Sequence, residues 1–172
     1  MKKIVLAIIL FFIVLFFSIY LTNLKISRFT SEKEYEIIDS LMYTLEIKKI
    51  KTNVTYIEKT NESYFLGIEV HKDNLLTFGI IPINSPIERV RRIITLNNLE
   101  NSIVGVKIFC DGNICDFINI SKPYFILNPK ENREIEIAVE NKNITGYYEG
   151  YIYINVLKPK NKIWEVILYL LY

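Results

Sequence analysis

The chain of 172 residues has no glutamine, one histidine and two cysteines. It also has no excess of charge. Its 21 Lys and Arg stand against 19 Asp and Glu, a net charge of +2. So even a balance gives no electrostatic footprint for nucleic acid. Zinc commonly takes four N or S ligands, and the sole histidine, His71, lies far in sequence from both cysteines. His71 sits between Val70 and Lys72 in an expected turn, where a solvated role is the simplest. There is no Gly-rich phosphate loop and no G-x-S-x-G stretch. No catalytic residue, metal ligand or cofactor is therefore assigned, and the chain reads as non-enzymatic. The missing glutamine hints at heat, but abundant Asn opposes it, so composition gives no temperature signal. No repeat of 20 to 50 residues and no low-complexity linker divides the chain.

What is present first is a run without charge. From Ile4 to Leu21 the only polar atoms are the hydroxyls of Ser18 and Tyr20. About 18 apolar residues is the lower end of what spans a bilayer as a helix. Lys2 and Lys3 precede the run and place the N-terminus in the cytoplasm. Lys25 and Arg28 on the far side weigh against that orientation. The run exceeds a secretory apolar region, and bulky Tyr20 and Leu21 stand where small residues would mark cleavage. An uncleaved membrane anchor over 1–24 is favoured over a cleaved signal peptide. Everything beyond it is then extracytoplasmic.

Ser31 followed by Glu34 is a capping-box pattern, and Ile37, Ile38, Leu41 and Met42 follow with helical spacing. A helix over 32–43 is expected, within a short helical stalk over 25–43. From residue 44 the pattern changes to short runs of Ile, Val, Tyr, Phe and Thr between turn residues. Strands are expected at 44–50, 53–58 and 64–71, a membrane-proximal group over 44–74. Further strands are expected at 75–81, 89–97, 103–110, 115–121, 133–140, 147–157 and 163–171. In "REIEIAVE", Ile135, Ile137 and Val139 share one face. Seven short strands over 75–172 give a mainly β chain, an immunoglobulin-like antiparallel β-sandwich preceded by one transmembrane helix. The last run, "KIWEVILYLL", would be apolar on both faces: Trp164, Val166, Leu168 and Leu170 on one, Ile163, Ile167, Tyr169 and Leu171 on the other. Such a strand is central, or covered by residues 44–71 or by a partner subunit.

"LLTFGIIPINSPIERVRRIITLNN" has an aromatic-Gly strand, a Pro turn and an Arg-rich strand ending in Asn. "YFILNPKENREIEIAVE" and "GYYEGYIYI" add a Leu-x-Pro turn and a Gly-Tyr-x-Gly opening. Residues 74–157 thereby resemble the immunoglobulin-like domains grouped around the ASH, MSP and NEW3 families. The resemblance implies a tethered envelope protein of an archaeal kind. Its motifs speak to fold and carry no catalytic residues.

"FCDGNICDF" holds both cysteines. With Gly112 and Asn113 as a two-residue hairpin turn, Cys110 faces Cys115 in a non-hydrogen-bonded pair, with Cα atoms about 4.5 Å apart. That suits a disulfide in an oxidising compartment. A free pair of small apolar residues and a metal or redox site are the alternatives. The C-x4-C spacing departs from the C-x-x-C of redox motifs. Asp111, Asn113 and Asp116 lack the spacing of a calcium loop and suit a turn instead.

Four N-x-S/T sequons offer glycosylation at Asn53, Asn61, Asn119 and Asn143. Asn61 and Asn143 fall in expected turns, whereas Asn119 falls in an expected strand. Arg89 and Arg91 would share a strand face opposite Arg92, as a solvated edge. The tyrosines of "GYYEGYIYI" allow stacking on sugars, although Tyr is also a common strand residue. The leading expectation is a membrane-anchored structural or protein-interaction module of the cell envelope, in a surface layer, pilus or membrane complex. Its partners would be the membrane and an envelope protein. The alternative is an extracytoplasmic glycan-binding module using exposed tyrosines.

Overall fold

The computed structural model describes residues 8–15, 30–58, 74–86, 88–142 and 144–171. Residues 8–15 form a helix, α1. Nine strands follow among the described residues: β1 (Tyr35–Asp39), β2 (Tyr43–Ile57), β3 (Leu75–Pro82), β4 (Arg89–Asn97), β5 (Val104–Gly112), β6 (Ile118–Ile120), β7 (Tyr124–Leu127), β8 (Asn132–Glu140) and β9 (Gly146–Pro159). A single 3-10 turn, Asn113–Asp116, separates β5 from β6, and a second helix, α2 (Lys162–Leu171), follows β9.

The strands make two sheets. The larger runs β1-β2-β9-β5-β7, with β3 also paired to β2; the smaller runs β4-β8-β6. Pairing is antiparallel throughout except between β2 and β3, which run parallel. The sheets face each other across one core. Ile50, Val54, Val106, Ile108, Ile152 and Ile154 come from the larger sheet, and Ile135, Ile137 and Val139 from the smaller.

β2 is one strand where two were expected at 44–50 and 53–58, and its burial explains the misreading. Its first half buries Leu45 and Ile47 on the outer face, under α2 and Ile38. Its second half buries Ile50, Thr52, Val54 and Tyr56 on the inner face, under the smaller sheet. The buried face switches at Lys48–Lys49, so no single alternation runs through the strand. Thr52, where a gap was expected, is fully buried and donates its hydroxyl to the Leu76 carbonyl at 2.8 Å.

Three expected elements are corrected. The helix of 32–43 is a strand and a turn instead: Tyr35–Asp39 pairs with Lys48–Thr44. Ser31 does accept from a backbone N–H, but from Lys33 at 3.0 Å, which makes a local turn rather than a helix cap. A 12-residue helix is marginal without packing. Here the ladder to β2 and the burial of Ile38 on the Leu45 cluster win. The expected helical stalk is thus part of the larger sheet from Tyr35 onward, and β2, expected as separate strands of a group over 44–74, is one of its inner strands.

The second correction is the C-terminal strand of 163–171, which is α2. Asn161 caps it, its Oδ1 accepting from the Trp164 N–H at 3.1 Å. Ile167 and Leu168 are buried. The third is the expected hairpin at Gly112–Asn113. β5 does not turn back there; the 3-10 turn carries the chain across to β6 in the other sheet. The strand expected at 64–71 lies outside the described residues.

Among the described residues no helix is long and apolar enough to cross a membrane. Of the expected anchor only residues 8–15 are described. They are helical, and Ile8 to Val14 are 51–63% exposed.

Candidate functional site

The sheet crossing is built first from two glycines. Gly112 on β5 stands opposite Gly150 on β9. A Cβ on Gly112 would lie 2.6 Å from the Gly150 Cα, and one on Gly150 would lie 2.9 Å from the Ile114 Cγ2. Only glycine lets the two backbones and the turn close this tightly. Ile114 is fully buried in the gap, and Asn113 Oδ1 accepts from the Glu149 N–H at 2.7 Å. The turn brings Cys110 and Cys115 into a disulfide with Cα atoms 5.6 Å apart. The bond therefore closes a corner between sheets, not the tip of a hairpin. That corner geometry also accounts for a Cα separation wider than a facing strand pair would give.

Asp111, Asn113 and Asp116 do not converge. Asp111 is on the outward face of β5, Asn113 is engaged with Glu149, and the Asp116 carbonyl accepts from Lys142. Among the described residues no group of three or more His, Cys, Asp or Glu could hold a metal ion. A cleft of about 300 Å³ lies beside the corner, lined by Lys51, Asp111, Asn113, Glu149 and Tyr151. Two of its charges are paired: Lys51 sits 3.3 Å from Glu149, whose hydrogen bond raises the lysine pKa.

The tyrosines of β9 divide as alternation requires. Tyr148 points inward and packs on Phe117 and Tyr56, with ring centroids 4.4 and 5.9 Å away. Tyr56 donates to the Glu140 carbonyl at 2.6 Å and so ties β2 to the end of β8. Burial, with Tyr148 and Glu140 nearby, pushes its phenol pKa up. Tyr147, Tyr151 and Tyr153 point outward. Tyr153 is nearly buried, stacked on Phe109 at 5.1 Å and 11°. Lys49 Nζ lies 4.0 Å over the Tyr151 ring, and Lys107 Nζ lies 5.1 Å over Tyr124. Tyr151 and Tyr124 thus each carry a lysine over the ring and Tyr153 another ring, whereas Tyr147 is 55% exposed.

Of the sequons, Asn119 is exposed on the edge strand β6 and Asn53 is half-buried within β2. Asn61, Asn143 and His71 lie outside the described residues. Arg89 and Arg91 both pair with Glu136 on the outer face of the smaller sheet. Arg92 points the other way, its Nε donating to the Thr77 carbonyl at 3.0 Å, and so bridges β4 to β3.

Sequence reasoning missed the opposite end of the sandwich. There the smaller sheet stops short and leaves a cleft of about 250 Å³ over the inner face of the larger one. Its floor is Val104, Val106, Leu127 and Val156, with Leu96 of the smaller sheet at its edge; its rim carries Glu46, Glu100 and Lys158. Lys158 lies 2.7 Å from Glu46 and 2.8 Å from Glu100. Burial alone would lower the Lys158 pKa, but the bonds to Glu100 and Glu46 override it and raise the value. The Lys158 hydrogen bond in turn holds Glu100 below the usual carboxylate range. Asn98, 4% exposed, ties down the β4–β5 loop. Its Nδ2 donates to the carbonyls of Ser102 and Asn128 at 2.9 and 2.8 Å, and its Oδ1 accepts from the Glu100 N–H at 3.0 Å.

The same end carries α2. Its contacts are with Tyr43, Leu157 and Pro159 at one end and with Asn128 at the other, where Tyr169 meets Asn128 Oδ1 at 3.3 Å. The helix therefore lies across the strand ends of β2, β9, β5 and β7. Its outer stripe of Ile163, Val166 and Tyr169 is exposed. The Asn161 cap with Glu165 four residues on was the available signal for this helix.

No protein-family model, curated protein or solved structure matches the chain.

Proposed function

We propose that the protein is a non-catalytic, membrane-tethered module of the cell envelope, with an immunoglobulin-like sandwich outside the cytoplasm that makes contacts with another envelope component. The observation that carries this reading is the Cys110–Cys115 bond at the sheet corner. Such a bond persists in an oxidising compartment. The charge-free stretch from Ile4 to Leu21, preceded by Lys2 and Lys3, supplies the route there.

The immunoglobulin-like assignment is supported by strand order. The smaller sheet, β4-β8-β6, follows the B-E-D order of such domains, and β5-β9 follows C-F. β2 takes the place of the final strand, G, beside β9. Two departures are that this strand precedes the rest in sequence and that β7, beside β5, follows β6. The non-catalytic assignment is supported by how the charged groups are used. Lys158, Glu46 and Glu100 hold one another, as do Arg89, Arg91 and Glu136. The glycan-binding alternative is weakened by the lysines lying over Tyr151 and Tyr124.

Peptide mass mapping of protein from native membranes, alkylated before reduction, tests the reading. Linked Cys110 and Cys115, with sugar on exposed Asn119 if the host glycosylates, is the expected result. Two alkylated thiols and bare sequons would place the domain in a reducing compartment and remove the proposal's main support.

A further inference from the structure

The three most exposed large apolar side chains of the sandwich and α2 gather at one end. Leu41 in the β1–β2 turn is 91% exposed, Leu99 in the β4–β5 loop 79%, and Ile163 at the start of α2 70%. Val166 and Tyr169 continue the α2 stripe at 63% and 58%. The three connections meet there: the Lys160 N–H bonds the Met42 carbonyl at 3.1 Å, and Lys158 reaches Glu100 at 2.8 Å. A helix apolar on both its covered and its open side suits an apolar medium.

We infer that this end, through Leu41, Leu99 and the outer stripe of α2, is seated on the surface of a lipid bilayer. The inference rests on the membrane tether proposed above. Three features favour lipid over a protein. The protruding groups at the loops are lone aliphatic tips on separate connections, unlike the aromatic and arginine core of a protein interface. A second copy meeting the three-residue α2 stripe would fall well short of the roughly 800 Å² per partner of a stable interface. Finally, the chain between Leu21 and Tyr35 extends at most about 50 Å, so a tethered domain stays close to the bilayer. Lys162 opens α2, and the Lys130 ammonium sits on the Leu99 carbonyl. Both can lay their stems along the apolar surface with their charges in the headgroup layer. Lys158 and Lys160 are matched by Glu46, Glu100 and Asp39, so the contact is apolar and little affected by salt.

The chain's one tryptophan, Trp164, lies in α2 next to Ile163, half-buried toward Met42 and Leu157, and so sits at the margin of this surface. The full chain is reconstituted into phosphatidylcholine vesicles with brominated acyl chains, and Trp164 emission is compared with that in unbrominated vesicles. Loss of emission that persists in high salt, and that Val166→Asp reverses, is the expected result. Val166 is outside the core, so the variant should fold, as unchanged circular dichroism would verify. Co-flotation with unquenched Trp164 would overturn the inference while leaving the tether intact. So would unquenched Trp164 with a doubled mass, which would assign the face to a second copy. Failure to float with the vesicles would overturn both readings.

Discussion

Reducing the Cys110–Cys115 bond should weaken the fold by a modest, calculable amount. The bond closes a loop of sequence separation 5. Chain entropy for so short a loop is worth about 7 cal/mol/K, or about 2 kcal/mol at 25 °C. Native contacts should survive reduction, because the corner is also held by the Asn113–Glu149 bond, by the fully buried Ile114 and by the backbone contact of Gly112 with Gly150. The assay is urea unfolding of the full chain in a mild detergent, oxidised and reduced, followed by far-UV circular dichroism. A urea slope of about 2 kcal/mol/M puts the expected fall in midpoint near 1 M, with the slope unchanged. Comparing the reduced protein with the Cys110→Ala, Cys115→Ala pair isolates the bond from the packing of the sulfurs, which sit against the main core. A loss of about 4 kcal/mol or more would refute the reasoning, since the crossing would then depend on the bond itself. No loss at all would refute it from the other side.

Gly150→Ala should cost at least about 2–3 kcal/mol, because its Cβ would strike the Asp111 carbonyl and Ile114. Gly79→Ala, with a φ of +73° but nothing within 4 Å, should cost only about 1 kcal/mol; the reverse ranking in urea midpoints would sink this account. Asn98→Ala removes a donor shared by two loop carbonyls and should cost about 2–3 kcal/mol, with faster proteolysis at residues 98–102 as the local readout. Glu100 has a lower pKa folded than unfolded, so the unfolded chain binds more protons in that range. Its contribution is present above pH 4.5 and is lost as pH falls through the folded value. Lys158 runs the other way: its contribution is present below pH 10.5 and lost as pH rises through its raised value. Thermal midpoints of wild type and Glu100→Gln should therefore converge below pH 4.5, and parallel curves would contradict the assignment.

Residues that obey one rule at a time were legible. Ile135, Ile137 and Val139 alternate in sequence and are all fully buried on one face of β8. Arg89 and Arg91 share the outer face while Arg92 turns in, as alternation requires. The cysteine pair was legible as a pair, because its spacing is short, but not as a corner between sheets. A type II′ turn and a crossing both want glycine at Gly112, and only the partner glycine at position 150 separates them. β1 was misread because Ser31 and Glu34 offer local helix chemistry, whereas the ladder to β2 is non-local. The 250 Å³ cleft had no sequence signal at all, since it is the space left where one sheet is shorter than its neighbour.

The misread β1 and α2 and the unbroken β2 are one problem seen three times. β2 changes its buried face at Lys48–Lys49 because two different partners cover it, the smaller sheet on one half and α2 on the other. α2 can do this only if it is apolar toward the sheet, which Ile167 and Leu168 supply. That requirement does not account for Ile163, Val166 and Tyr169 on its far side. A helix needing one apolar face has been given two, and the cost in exposed apolar surface has no return among the described residues. The same excess made the segment look like a strand apolar on both faces. What defeated the secondary-structure reading is thus the feature that calls for a second surface, and the bilayer contact inferred above would meet that call with no further component.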